Sequence, residues 1–194
     1  MLSPEPFDPH ASAQERILNC AHQLFYQNGI RATGVDKIIA GAGVTKVTFY
    51  RHFPAKNALV LAFLRRRHQR WMQGFSQTLA DALRQETLAD ALPHALESWF
   101  SQPDFRGCAF INAATELADT QPEALSLVVE HKCAMRDEIA RHLPPHAGNR
   151  ADVIAMLVDG AIVQVQMGKS VEQTVRQLRD GLAALLAPET NRAT

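Results

Sequence analysis

Three features of this sequence predict an all-α fold of about nine helices. Apolar residues recur at intervals of three and four along most of the chain, which lines up one face of a helix. Helix-start residues precede these runs, and glycines or prolines follow them. No stretch alternates polar and apolar side chains as a half-buried strand does, and no repeat or low-complexity tract breaks the pattern.

The elements follow in order. Ser12 with Glu15 reads as a capping box. Behind it Ile17, Leu18, Ala21, Leu24 and Phe25 share a face, and Asn28-Gly29 ends the helix with Ile30 placed to fold back on it. The first helix is therefore expected at about 13–27. Two very short helices come next, between Thr33 and Phe53. Asp36 suits the first turn of one, where a negative charge complements the helix dipole, and Ile38, Ile39 and Ala42 form its apolar face. Gly41-Ala42-Gly43-Val44 gives the backbone freedom for a tight turn. Thr45 caps the second short helix, which runs to about His52 before Pro54 stops it. A long helix at about 55–85 leads to helical stretches near 88–101, 106–118 and 123–142, punctuated by Pro103, Pro122, Pro144 and Pro145. The last two helices are expected at 149–168 and from Ser170 onward, the latter opened by a Ser170–Gln173 capping box. This divides the chain into a flexible tail (1–11), a small N-terminal domain (12–56), a helical body (57–188) and a second flexible tail (189–194).

Composition excludes several classes. At 46% hydrophobic and 21% charged, the chain is neither disordered nor fibrous. No apolar run approaches the roughly 20 residues that span a bilayer, and the opening MLSPEPFDPH lacks the basic and apolar parts of a secretory signal. Cys20, Cys108 and Cys133 are an odd number without metal-ligand spacing, which suits a reducing compartment, so the protein is expected in the cytoplasm, without metal or other cofactor. The net charge of zero hides an asymmetry: residues 11–70 carry ten basic and two acidic side chains, residues 71–194 ten basic and sixteen acidic. A basic head on an acidic body is the footprint of nucleic-acid binding, although the run Arg65-Arg66-Arg67 taken alone reads equally as a solvated helix face.

Two short helices joined by a glycine-bearing turn inside this basic segment form the layout of a helix-turn-helix. Phe49 and Phe53 are one turn apart and can face inward, which leaves Lys46, Val47, Tyr50 and Arg51 outward. Such a face suits a major groove: Lys and Arg read guanine edges, Val meets a thymine methyl and Tyr donates to phosphate. Lys56 adds a positive charge at a helix start, where backbone N–H groups already favour phosphate.

Residues 15–64, ERILNCAHQLFYQNGIRATGVDKIIAGAGVTKVTFYRHFPAKNALVLAFL, closely resemble the N-terminal domain of TetR-family regulators. The run Ala21, Leu24, Phe25, Gly29, Thr33, the Ala42-Gly43-Val44 turn and the stretch from Thr48 to Leu59 carry the resemblance. It implies a two-fold dimer whose recognition helices enter successive major grooves of a double-stranded DNA operator. It further implies DNA contacts from Lys46, Val47, Tyr50, Arg51 and His52, backbone phosphate at Lys56, and helix-start hydroxyls reaching phosphate at Thr33 and Thr45. Gly34 stands where many members carry Ser or Thr, leaving Thr33 to cap alone, and Val47 replaces a more usual glycine or small residue.

The family resemblance also implies a small-molecule effector held in the helical body. Trp71, Phe75, Trp99, Phe100, Phe105, Phe110 and Met135 are candidates for an apolar wall, and Asn112 and Glu116, four apart on one helix, for its polar groups. Packed core is the competing reading of the aromatic residues, and inter-helix bonding that of Asn112 and Glu116. Cys108, near a helix start, is a candidate redox or electrophile sensor, against the alternative of a small buried cysteine. Val153, Leu157, Gly160 and Ala161, with Val175, Leu178 and Leu182, are expected to join two subunits in a four-helix bundle. The expected function is a homodimeric, ligand-released transcriptional repressor. The rivals are a thiol-sensing regulator acting through Cys108 and a helical protein-interaction module without DNA function. A Cys108-based enzyme finds no orienting third group in the sequence.

Overall fold

The structure, a computed structural model, describes residues 10–188. The tails expected at 1–11 and 189–194 lie outside the described residues, save for His10 and Ala11. Nine α-helices account for most of the described chain: α1 (Ala13–Asn28), α2 (Val35–Ala42), α3 (Lys46–His52), α4 (Lys56–Ala82), α5 (Leu88–Phe100), α6 (Ala109–Leu117), α7 (Pro122–Arg141), α8 (Ala151–Gln166) and α9 (Val171–Leu186), with one 3-10 turn at Pro145–Ala147. The first helix is capped as its sequence requires: Ser12 Oγ accepts the Glu15 N–H at 3.2 Å while the Glu15 carboxylate accepts the Ser12 N–H. Gly43 closes α2 in the left-handed conformation (φ 61°, ψ 40°), the tight turn that needs a residue without a side chain. Helix α6 begins three residues later than spacing suggests, because Cys108 is extended (φ −82°, ψ 118°) and acts as its N-cap.

Two compact units divide the chain. Among the described residues, one unit contains 10–71 and 108–131, so α6 groups with the basic head. The other contains 72–107 and 132–188.

In the first unit, Ile17, Ala21 and Phe25 of α1, Ile38 of α2, Phe49 of α3 and Leu59 and Phe63 of α4 are buried. Phe25 and Phe63 meet edge to face, with ring centroids 5.5 Å apart. The arginine run is split: Arg65 is exposed, whereas Arg67 is 2% exposed, with its guanidinium over the Tyr26 ring at 3.6 Å. Arg67 also lies 3.2 Å from His22 Nε2. A guanidinium only donates, so Nε2 is the acceptor and the ring proton sits on Nδ1. Burial, and then the charges of Arg67, Arg70 and Arg66, push the His22 pKa down to about 3.

In the second unit, α9 packs against both α5 and α8. Leu88, Leu92, Leu96 and Trp99 of α5, Ile154, Val158 and Ile162 of α8, and Val175, Leu178 and Leu182 of α9 are buried. Trp99, Phe100 and Phe105 form a cluster of rings with centroids 5.2–5.7 Å apart. Side-chain bonds tie the helices further, Lys132 Nζ reaching Asp159 at 2.6 Å and the Arg150 guanidinium donating to the Leu185 carbonyl.

Two outcomes follow. Truncation of the fully buried Phe49 to Ala should lower stability by about 3–5 kcal/mol in urea denaturation, against about 0.5 kcal/mol for the exposed Tyr50→Ala. The His22 ring is neutral when folded and takes up a proton on unfolding below its ordinary pKa of 6.5. Its contribution to stability is complete above that value and is lost as the pH falls toward 3, by at most about 1.4 kcal/mol per pH unit. The urea midpoint of His22→Gln, measured from pH 7 to about 4.5, should therefore fall less than that of the wild type.

Candidate nucleic-acid interface

A seven-residue helix is too short to persist by itself, so α3 depends on its cap and its packing. Thr45 supplies the cap, its hydroxyl accepting the Thr48 N–H at 3.1 Å and lying 2.9 Å from the Thr48 hydroxyl. Phe49, fully buried, and Phe53, nearly so, hold the inner face. The side chains pointing away are Lys46, Val47, Tyr50, Arg51 and His52, all exposed; Val47 is 70% exposed and Tyr50 42%. The Tyr50 ring leans edge to face on Phe49, centroids 5.2 Å apart, which limits its freedom on the open side. A cation, a small apolar group, a phenol and a guanidinium are thus displayed on the exposed side of one short rod.

Two expected contributors at the edge of this face are placed differently. Thr33 is fully buried, and its hydroxyl donates back to the Gly29 carbonyl at 2.7 Å, with the Leu24 carbonyl at 3.3 Å. It neither reaches outward to phosphate nor caps α2, whose N-cap is Gly34 without a side-chain bond. The reason is chain direction: the α1–α2 turn folds inward at Ile30, and Thr33 closes that turn from within. Lys56 is half-buried, its ammonium donating to the Ile30 carbonyl at 2.6 Å and lying 6.0 Å from the Phe25 ring. Burial lowers its pKa and the Glu116 carboxylate opposes that shift. One of its three N–H donors is committed to the backbone, leaving two.

The residues expected around an effector are divided between the two units, Trp71, Cys108, Asn112 and Glu116 in the first and Phe75, Trp99, Phe100 and Met135 in the second. All but Asn112 and Glu116 are buried. Trp71 and Phe110 pack on His131, the Phe110 ring stacked at 3.7 Å, and His131 Nδ1 stands 3.2 Å from His68 Nδ1, so that one imidazole donates and the other accepts. Glu116 is spent on the head: its Oε2 accepts the Arg31 N–H at 2.7 Å. Cys108 is 3% exposed, which closes it to bulky reagents. A groove of about 480 Å³ in the second unit, between the ends of α5 and α9, is lined by Leu88, His142, Pro144, Ala183 and Leu186 and contains none of the expected residues.

The expected subunit-joining set also separates. Val175, Leu178 and Leu182 of α9 and Ala161 of α8 are buried within the second unit, because α9 turns its apolar stripe toward α5 and α8. Val153 (46% exposed), Met156 (73%) and Leu157 (38%) remain on the open face of α8, together with Gly160. Met156 escaped the sequence reading, although its spacing from Val153 and Gly160 places it on the same stripe. A bonding role for Glu116 was one of its two readings, but not the partner Arg31, 85 residues away, and the bond of His22 to Arg67, 45 residues apart, escaped it. No described helix is long and apolar enough to cross a membrane, and no three described His, Cys, Asp or Glu side chains cluster as metal ligands.

Residues 17–63 match the family model described as bacterial regulatory proteins, tetR family. The transcriptional activator FasR of Mycolicibacterium smegmatis is 30% identical over 155 residues, covering 76% of this chain and 68% of FasR. A TetR-family regulator from Streptomyces coelicolor superposes with a TM-score of 0.75 at 30% identity, over 90% of this chain and 94% of that one. The multidrug binding protein EbrR, solved with imidazole, shares the fold at 19% identity, with a TM-score of 0.70 over 94% of this chain and 99% of its own. The basic head, its outward recognition helix and these likenesses agree: the chain belongs to the TetR family of DNA-binding transcriptional regulators.

Proposed function

We propose that the protein is a cytoplasmic homodimer that occupies a palindromic double-stranded DNA operator and is released from it by a small-molecule effector. The observation that carries this reading is the open face of α3, where Lys46, Val47, Tyr50, Arg51 and His52 are presented and Phe49 is not. Lys46 and Arg51 are the residues assigned to base edges and Val47 to a thymine methyl. Tyr50, Thr45 and His52 are assigned to the rim of the site, and Lys56 to phosphate through its two remaining N–H donors. Thr33, buried with its hydroxyl on the Gly29 carbonyl, is assigned no contact. Repression follows where the operator overlaps the promoter; the relative FasR is named an activator.

Two copies joined through the open stripe of α8 fit the two-fold symmetry of a palindrome. Val153, Met156 and Leu157 are too apolar to be left in water together, and the shallow groove of about 230 Å³ beside Gly160 and Leu178 has room for a side chain of the second copy. The core residues Val175, Leu178 and Leu182 then act indirectly, by holding α9 behind α8. For the effector, the description of EbrR, which shares the fold, as a multidrug binding protein supports a small-molecule ligand. Phe75, Trp99, Phe100 and Met135, all of the second unit, are the candidates for its contacts. Sensing through Cys108 is disfavoured by its burial.

Selection of bound DNA from a random library should return a palindrome with half-sites about 10–10.5 base pairs apart, centre to centre, or a multiple of that spacing. Lys46→Ala with Tyr50→Ala should abolish specific binding to it and leave the dimer intact. Lys46→Ala alone should relax specificity at one base position, whereas Lys56→Ala should reduce the slope of log affinity against log salt by about 1. Unchanged specific affinity of the double variant would sink the assignment. Val153→Glu with Leu157→Glu should give monomers in sedimentation velocity; a persistent dimer would move the interface elsewhere.

A further inference from the structure

The turn from Gly29 to Thr33 connects α1 to the helix-turn-helix, and three side chains hold its polar backbone. Thr33 Oγ1 donates to the Gly29 carbonyl at 2.7 Å, and Lys56 Nζ to the Ile30 carbonyl at 2.6 Å. The Glu116 carboxylate accepts the Arg31 N–H at 2.7 Å. The first bond is local and the second comes from the start of α4. The third comes from α6, 85 residues further along the chain. We propose that Glu116 is a positioning residue for DNA binding: its carboxylate fixes the recognition head to α6 through the Arg31 N–H.

The contact is closely fitted. A β-carbon on Gly29 would stand 3.2 Å from Glu116 Oε1 and 3.3 Å from Oε2, nearer than side chains normally settle. The bare Cα of Gly29 (φ 87°) therefore serves both the turn and the approach of the carboxylate. Charge favours the same placement. Glu116 is the acidic group that favours the charged form of half-buried Lys56, whose ammonium holds the next carbonyl of the same turn. Lys56 and Glu116 thus grip consecutive residues, one by a carbonyl and the other by an N–H. An ionised acceptor makes a shorter and stronger bond to an amide than a neutral one.

This role rests on the DNA-binding reading above, and it makes a different demand on the data. Glu116 is acidic and bonded to the protein's own backbone, so it adds no phosphate contact. Its loss leaves the contacts in the complex unaltered, but the free head must then be ordered on binding, which lowers affinity. Glu116→Ala should weaken operator binding by about 3- to 30-fold with the salt slope unchanged, whereas loss of a phosphate-binding lysine reduces the slope. In the free protein, hydrogen exchange at the Arg31 amide should accelerate by about tenfold or more in Glu116→Ala. Glu116→Gln keeps an acceptor oxygen without the charge and should lie between Ala and the wild type in both measurements. It also stands in for the Ala variant if that one fails to fold, as judged by urea denaturation. Wild-type exchange at Arg31 in both variants would overturn the tether. Accelerated exchange with unchanged operator affinity would overturn its role in DNA binding. Failure of the wild-type protein to select any DNA would instead overturn the operator reading, and the exchange measurement would still decide the tether.

Discussion

Phe49 and Phe53 sit on the inner side of a helix of only seven residues, which has no stability of its own to draw on. Their burial against α1 and α2 fixes the rotation of α3, and rotation decides which side chains face outward. A helix turns by about 100° per residue, so the two inward rings leave Val47, Tyr50 and Arg51 on the open side, while Lys46, within about 60° of Phe49, is exposed because it opens the helix. Recognition of DNA by this chain is in that sense a consequence of core packing. The polar display is selected by what the phenylalanines exclude from water.

The head is held as economically as the helix it presents. Its core is a set of apolar contacts among α1, α2, α3 and the start of α4, while its edge is tied by individual charged bonds. Arg67 illustrates the difference between exposure and use. It belongs to a run of three arginines, yet its guanidinium is stacked on Tyr26 and bonded to a neutral His22. The ring of Tyr26 and an uncharged imidazole let a buried cation persist, and the same surroundings keep His22 from protonating. Charge counted along the sequence therefore overstates the positive surface available to a nucleic acid. Lys56 is similarly compromised, half in the protein and half available.

The second unit follows the rule that amphipathic helices bury their widest apolar stripe first. In α9 that stripe meets α5 and α8 within one chain, which leaves α9 with a polar outer face. In α8 the apolar residues encircle more of the helix, so a second stripe is left over after the first is buried. A surplus of apolar surface on one helix beside a polar neighbour is the physical basis for joining two copies there.

Much of this was legible in the sequence. The helix count, the capping box at Ser12, the glycine turn at Gly43 and the inward pairing of Phe49 with Phe53 all depend on residues within a few positions of each other, where spacing and backbone preference act directly. The outward display on α3 follows from the same local periodicity. What the tertiary structure alone decided lies between distant segments. Thr33 turns inward, Glu116 serves the head, Arg67 leaves the surface, and Val175, Leu178 and Leu182 face α5 and α8. A helical pattern states that a residue is on an apolar or polar face but not which other element meets that face. That partner is set by the packing of the whole chain, and with it the difference between a residue that binds a ligand and one that holds the protein together.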